Sequence, residues 1–116
     1  MKKNLTKRER LRKKSDIAAV LSSHNKVSCS GVKLKYIRNG LEWNRIAITL
    51  RKKFGTAVFR NRAKRIAKEV YRNIKPLLRP GYDMIIILYP GEYDYGERKT
   101  QFSSLYKKAG LLAEDC

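Results

Sequence analysis

The sequence predicts a single α+β domain, an α/β sandwich in which helices pack on a small central sheet in the order αββαβα. Three observations predict this fold. The chain has 116 residues, which is the length of one domain. Residues 32–37 and 46–50 alternate in side-chain character at strand spacing, and residues 84–88 form an apolar run typical of a strand covered on both faces. Segments with apolar residues at helical spacing precede, separate and follow these strands.

The N-terminal segment, residues 1–14, is interpreted as an extended basic arm, because eight of its residues are Lys or Arg and only Glu9 is acidic. Ser15 is a favourable N-cap residue for a short first helix that ends by about His24. Three apolar residues follow that cap at helical spacing: Ile17, Val20 and Leu21. At the other end of the chain, residues 110–116 are expected to be a frayed tail.

The alternating segments predict two strands. In the first, Val32, Leu34 and Tyr36 alternate with Lys33, Lys35 and Ile37, which gives one apolar and one mostly basic face. The "RNG" sequence at 38–40 then turns the chain into a second strand, and we expect a hairpin. A final amphipathic helix follows the buried strand and is marked by Phe102, Leu105, Tyr106, Ala109 and Leu112.

A long helix is predicted from Thr56, its N-cap, to Lys75, where Pro76 stops it. One arc of this helix is apolar and is predicted to face the core: Phe59, Ala63, Ile66, Ala67, Val70, Tyr71 and Ile74. The adjoining arc is basic: Arg60, Lys64, Lys68, Arg72 and Lys75, with Asn61 and Arg65 beside them and Arg62 at the far edge. The pattern therefore sorts the cations onto one side of the helix.

The overall charge points to a polyanionic partner. The chain has 28 Lys and Arg against 10 Asp and Glu, a formal net charge of +18, which opposes compaction unless a polyanion offsets it. Nucleic acid and an anionic lipid surface are the two candidates. Membrane attachment is rejected, since Phe59, Val70 and Ile74 are needed for the core. With no signal-peptide pattern and no apolar run of about 18 residues, a bacterial-type cytoplasmic location is expected.

The "RNRAKR" motif at 60–65 is the candidate binding site. A charge run on a helix is often only a solvated face. Here Glu69 is almost the only acid between residues 51 and 75, so ion pairs within the helix cannot neutralise the stripe, and like charges at i, i+4 cost stability. The planar guanidinium group of arginine can donate two hydrogen bonds to phosphate oxygens, and Lys52 and Lys53 extend the positive charge upstream of the motif. The motif therefore indicates recognition of phosphates and shape rather than of bases.

Sequence features of a protein active site are weak. His24 has no evident partner, and Cys29 and Cys116 lack metal-ligand spacing, so neither a zinc site nor a disulfide framework is expected. Asp16 and Asp83 do not form a close carboxylate pair of the kind that a two-metal nuclease needs. We therefore expect no catalytic residues and no protein-held metal in this chain.

Residues 45–71, RIAITLRKKFGTAVFRNRAKRIAKEVY, resemble the protein subunit of bacterial ribonuclease P. The family pattern KxxGxAVxRNRxKRxxRE is met from Lys52 through Glu69, and only Lys68 departs from it, in place of an arginine. "RLRKKSDI" near the start and "PGYDMIIIL" further on also look like the corresponding family segments. The resemblance thus covers nearly the whole chain.

The resemblance implies a fold like domain 2 of ribosomal protein S5, with a left-handed crossover around the long helix. It also implies the function: ribonuclease P RNA carries the active site and most of the Mg²⁺, and the protein binds that RNA and the 5′ leader of precursor tRNA, with no small-molecule cofactor. The residues implied in RNA-subunit binding are Lys52, Lys53, Arg60, Asn61, Arg62, Lys64, Arg65 and Lys68. Those implied in a leader cleft between the first helix and the sheet are Arg12, Lys13, Ile17, Leu21, Lys35 and Tyr36.

The first helix departs from many relatives, which have phenylalanines where this chain has Ile17 and Leu21. Aliphatic side chains lose aromatic stacking, worth about 1 to 3 kcal/mol per base. Leader binding would then depend more on charge, although the two residues fit equally well as core. The alternative function for the whole chain is a non-catalytic structural RNA-binding protein, such as a small ribosomal component.

Overall fold

The computed structural model describes residues 7–51 and 55–112, which form a four-stranded sheet with helices on both faces. The helices are α1 (Lys14–Leu21), α2 (Ala57–Ile74) and α3 (Tyr95–Ala109). The strands are β1 (Lys26–Cys29), β2 (Val32–Arg38), β3 (Arg45–Leu50) and β4 (Tyr82–Leu88). Short 3₁₀ turns occupy Lys7–Glu9 and Lys75–Leu77. The predicted α+β sandwich is confirmed.

The sheet order is β1-β2-β4-β3, with β3 and β4 parallel and the other two pairings antiparallel. Because β4 lies between two strands and under helices on both faces, its apolar run is buried as predicted. Met84, Ile86 and Leu88 face α2 and α3, whereas Ile85 faces α1. The central position of β4 therefore links the two halves of the core.

Two features of the predicted sheet are wrong. The order αββαβα lacks β1, which is only four residues long and whose polar residues give little alternating signal. The expected hairpin between the two predicted strands does not form, because β4 lies between β2 and β3. Parallel pairing with β4 becomes available to β3 through the α2 crossover. The left hand of that crossover stays a prediction.

The larger part of the core lies between the sheet and the helices α2 and α3. Its largest fully buried apolar or aromatic helix residues are Tyr71, Phe102, Leu105 and Tyr106. They pack on the sheet residues Val32, Leu34, Ile46, Met84, Ile86 and Leu88. On the opposite face a smaller cluster of Leu11, Val20 and Ile85, with Ile17 and Ile37 against it, fixes α1.

The N-terminal segment is docked over residues 7–13 and is not an extended arm. The backbone N–H of Leu11 donates to the Ile46 carbonyl at 3.0 Å, and Arg10 forms a parallel bridge with Ile46 at the edge of β3. Leu11 is only 3% exposed, so its burial helps to hold the segment against the sheet. Residues 1–6 of the predicted arm lie outside the described residues.

Two predictions near the termini are wrong: the N-cap of the first helix, and a frayed tail over residues 110–112. Helix α1 begins at Lys14 with Lys13 at its N-cap, and no side chain caps it, so Ser15 is a helical residue rather than the cap. At the C-terminus, residues 110–112 are packed and not frayed. Leu111 is buried and its carbonyl accepts from the Arg79 N–H at 2.7 Å. Residues 113–116 lie outside the described part.

Docking of the N-terminal segment predicts a large cost for Leu11→Ala. Removing this buried side chain should lower the free energy of unfolding by about 2 to 5 kcal/mol. The measurement is urea unfolding followed by circular dichroism. Leu77→Ala, at a position 57% exposed, is the matched control and should change the free energy by about 0.5 kcal/mol or less. Equal effects of the two variants would contradict the docking of residues 7–13 and would favour a solvated arm.

Candidate nucleic-acid interface

The basic ridge is the solvent-facing side of the first three turns of α2. It consists of Arg60, Asn61, Arg62, Lys64, Arg65 and Lys68. All six side chains are exposed except Arg60, which is half-buried. Among the described residues, no carboxylate forms an ion pair with any of the five cations. The ridge is therefore a concentrated positive charge available to an external anion.

The C-terminal part of α2 differs from the ridge because its cations have carboxylate partners. Arg72 pairs with Glu69 within the helix, and Lys75 Nζ lies 3.1 Å from a carboxylate oxygen of Glu9 in the docked N-terminal segment. The basic stripe predicted along the whole helix is thus neutralised in its last turn. Positive charge available for binding is concentrated between residues 60 and 68.

The beginning of α2 is capped as the sequence predicts, since Thr56 Oγ1 accepts from the Phe59 N–H at 3.4 Å. Gly55, just before it, has φ 134°, a conformation that favours glycine. Lys52 and Lys53, which the sequence also assigns to the interface, lie outside the described residues. The prediction that Phe59 faces the core is wrong, because this residue is 45% exposed and is not part of the core.

Phe59 instead lines a pocket of about 470 Å³ between α2 and the loop that leads into α3. On the α2 side Ala63 and Ile66 complete an apolar wall, with Arg62 beside them. Across the pocket lie Tyr93 and Arg98, whose guanidinium carbon is 4.5 Å from the centre of the Tyr93 ring. We call this the Phe59 pocket. Sequence patterns gave no signal for it, because its two walls are far apart in the chain.

Arg98 is the most unusual residue of the Phe59 pocket, because it is only 1% exposed. Its Nη1 donates to the Gly31 carbonyl at 3.0 Å and to Gln101 Oε1 at 2.9 Å, both uncharged acceptors. Burial lowers the pKa of Arg98 from its ordinary value. A buried cation is thus held by hydrogen bonds and by an aromatic ring.

A second basic surface lies on the opposite face of the sheet, beside α1. Lys33 and Lys35 share this face of β2, and the β1 residue paired with Lys35 is Lys26. Lys35 Nζ donates to the Leu21 carbonyl at 2.6 Å, at the C-terminal end of α1. We call this surface the α1 cleft and define it by Leu21, Lys26, Lys33 and Lys35. Its cations are neighbours on adjacent strands, so they can act together on a single-stranded anion.

The structure places most of the predicted cleft residues near α1. Arg12 and Lys13 are exposed just before the helix, and Leu21 is 45% exposed at its end. Ile17 is half-buried against the Leu11 cluster. Of the two residues whose role was open, Leu21 is therefore available to a ligand, whereas Ile17 is largely packing.

Tyr36 does not belong to the α1 cleft. It packs against the larger core on the α2–α3 face, and its ring meets that of Tyr82 at a centroid distance of 6.2 Å. Side chains alternate across a strand, so Lys35 and Tyr36 must point to opposite faces. That alternation was visible in the sequence and would have selected Lys33 in place of Tyr36.

Arg45 fixes the position of α1 relative to the sheet. Its Nε and Nη2 donate to the two oxygens of Asp83 at 2.7 and 2.6 Å, and its Nη1 lies 3.3 Å from Asp16 Oδ2 in α1. The hydrogen bond with Asp83 raises the pKa of Arg45. Since Arg45 engages both acids, neither neutralises the lysines of the α1 cleft.

A metal-binding cluster and a membrane-spanning helix are both absent from residues 7–51 and 55–112. No three His, Cys, Asp or Glu side chains come together there in a group that could hold a metal ion. In the same ranges, none of the helices has the length and apolar composition to cross a membrane.

Fold and surfaces together define a small α+β protein with a strongly basic helix face that is suited to a polyanion. The family model for ribonuclease P matches residues 5–110. A ribonuclease P protein component of Dictyoglomus thermophilum is 42% identical over 112 residues, 93% of each chain. One from Caldanaerobacter subterraneus is 34% identical and covers 98% of this chain and 97% of its own. The chain belongs to the ribonuclease P protein family.

Solved structures agree with this assignment. The ribonuclease P protein of Thermotoga maritima superposes with a TM-score of 0.75 at 25% identity, covering 86% of this chain and 96% of that one. The protein of Staphylococcus aureus gives a TM-score of 0.81 at 21% identity over 97% of both chains, a likeness of fold. Family membership makes the chain a protein component of an endoribonuclease in tRNA processing.

The contacts of Arg45 predict unequal effects for its two acidic partners. Asp83→Asn should lower the free energy of unfolding by about 2 kcal/mol, because it removes the charge of a carboxylate that is only 4% exposed and accepts two hydrogen bonds from Arg45. Asp16→Asn, where the pair is more exposed, should cost about 0.5 kcal/mol. Chemical denaturation of both variants makes the comparison. Similar losses would show that Asp83 is not the main anchor of Arg45.

Proposed function

We propose that this chain binds ribonuclease P RNA and the 5′ leader of precursor tRNA, and so assists the Mg²⁺-dependent endonucleolytic removal of that leader. The observation that carries the proposal is the basic ridge: its cations lie in the segment that matches the family and have no acidic partner among the described residues. A helix face whose cations lack acidic partners, within a segment that matches the family, is best explained as a binding surface. We place this activity in the bacterial cytoplasm.

The basic ridge is assigned to the RNA subunit. Cations three and four residues apart stand on one face of a helix, which forms a rigid support for several phosphate contacts. A folded RNA presents phosphates and 2′-hydroxyls at its surface, whereas its deep major groove hides the base edges. Recognition by the ridge is therefore expected to depend on backbone shape.

The α1 cleft is assigned to the leader, which is single-stranded. Lys26 and Lys33 supply positive charge along the sheet, and Leu21 supplies an exposed apolar contact. Lys35 is different, because its ammonium group already donates to the end of α1. With aliphatic residues in α1, leader binding depends mainly on charge and should weaken steeply with salt.

Catalysis is assigned to the RNA subunit, with Mg²⁺ held mainly there. Several carboxylates of the chain already have structural partners. Asp16 and Asp83 bind Arg45, while Asp94 and Glu97 form a reciprocal capping box at the start of α3. The role left to the protein is to bind and orient the two RNAs.

Reconstitution tests the proposal. Added to a bacterial ribonuclease P RNA at low Mg²⁺, the purified chain should accelerate release of the 5′ leader from precursor tRNA, and alone it should release none. Cleavage by the chain alone would refute the assignment of catalysis. Binding to ribosomal RNA without any acceleration would favour the structural RNA-binding alternative.

A paired substitution locates the contact. Arg65→Ala should weaken binding to the RNA subunit roughly tenfold, because it removes a charge-assisted contact worth about 1.4 kcal/mol. Lys75→Ala should change affinity by about twofold at most, because Lys75 is held by Glu9. Filter binding at one fixed salt concentration gives both numbers. Equal losses would contradict a contact focused on the ridge.

A further inference from the structure

We propose that the Phe59 pocket binds an unstacked guanine base of the RNA subunit. The inference rests on the proposed function, since it takes the RNA bound at the basic ridge as the source of the base. It adds base-specific recognition to an interface otherwise expected to read only backbone and shape.

Two aromatic residues, Phe59 and Tyr93, line this pocket. Phe59 is 45% exposed, although the apolar residues further along the same side of α2, such as Val70 and Ile74, are buried in the core. Opposite it, the Tyr93 ring is fixed by packing over two glycines: an added Cβ would lie 2.5 Å from that ring at Gly91 and 2.9 Å at Gly31. An exposed aromatic side chain such as Phe59 can stack on a base that is splayed out of an RNA.

The polar groups of the pocket are mixed, which argues against a phosphate as the ligand. Arg62 supplies donors, but three carboxylates also line the pocket: Glu92, Asp94 and Glu97. In the capping box Asp94 Oδ1 accepts from the Glu97 N–H, and Glu97 Oε1 accepts from the Asp94 N–H. The second oxygen of each carboxylate is therefore left for a ligand donor. Three acids would repel a phosphate but can accept hydrogen bonds from a neutral base.

Guanine matches this mixture better than the other bases. Its O6 and N7 atoms accept hydrogen bonds, and arginine is their commonest partner. Its N1–H and N2–H₂ groups donate, and carboxylates accept from them. The volume of about 470 Å³ falls in the range of small-ligand sites.

The pocket lies beside the basic ridge, so RNA bound at the ridge can place a base in it. Arg62 lies in the basic ridge and also lines the pocket, three residues along α2 from Phe59. Residues three apart are neighbours on a helix surface, so a strand whose phosphates lie on the ridge can turn one base into the pocket.

Kethoxal footprinting of the RNA subunit tests this directly, because kethoxal reacts with N1 and N2 of unpaired guanines. In the complex with the unaltered chain, one guanine that is reactive in the free RNA should be protected. In complexes with Phe59→Leu or Glu92→Gln, saturated with protein, that guanine should become about fivefold more reactive. Leu77→Ala, an exposed apolar change outside the pocket, should leave the protection unchanged.

The outcomes separate this inference from the proposed function. If the chain binds and activates ribonuclease P RNA but no guanine changes reactivity between the unaltered and pocket variants, the guanine pocket is refuted and the proposed function stands. Protection of an adenine or cytosine against dimethyl sulfate, lost in the same variants, would likewise refute guanine. If the chain does not bind this RNA, both proposals fail.

Discussion

The structure depends on keeping the cations of the basic ridge out of ion pairs with the carboxylates of the described residues. With 28 Lys and Arg and 10 Asp and Glu, the few acids could have been distributed along the ridge. They hold the architecture elsewhere instead. Asp16 and Asp83 fix α1 through Arg45, Glu9 joins the N-terminal segment to Lys75, and Asp94 caps α3. Repulsion along the ridge is then offset by core packing in the isolated chain and by phosphates in a complex.

The two basic surfaces lie on opposite faces of one sheet. α2 places the ridge on the face that carries the larger core, while α1 and the lysines of β1 and β2 form the cleft on the other. Buried β4 lies between these layers, so the relative placement of the surfaces is set by a rigid element. Under the proposed function, this arrangement would hold the RNA subunit and the leader in fixed relative positions.

The sequence predicted an element correctly where apolar residues recur at a regular spacing and are buried in the structure. The helix around the "RNRAKR" motif, the apolar strand at 84–88 and the last helix were predicted because each repeats its pattern over several turns or residues. The resemblance to the family identified the chain on one ordered segment. Predicting these elements and the family did not require knowledge of contacts between distant residues.

The remaining features depend on contacts between distant segments. Leu11 is the one buried residue among residues 7–13 and helps to dock the N-terminal segment, and one leucine among cations carries no periodic signal. Phe59 lies on the apolar arc of α2, but it is 45% exposed and lines a pocket whose other wall comes from the loop that leads into α3. Tyr36 was misplaced for a different reason, since strand alternation was available and already assigned it to the core face.

The salt dependence of affinity for ribonuclease P RNA tests the central claim most directly. Changing Lys64, Arg65 and Lys68 together to Gln should reduce the slope of log affinity against log salt by about 2 to 3, because each lost phosphate contact removes about 0.7 to 0.9. The same change at Lys7, Lys99 and Lys107, which are also exposed, should leave the slope nearly unaltered. Equal reductions in the two variants would show that binding follows net charge, and the ridge would lose its special role.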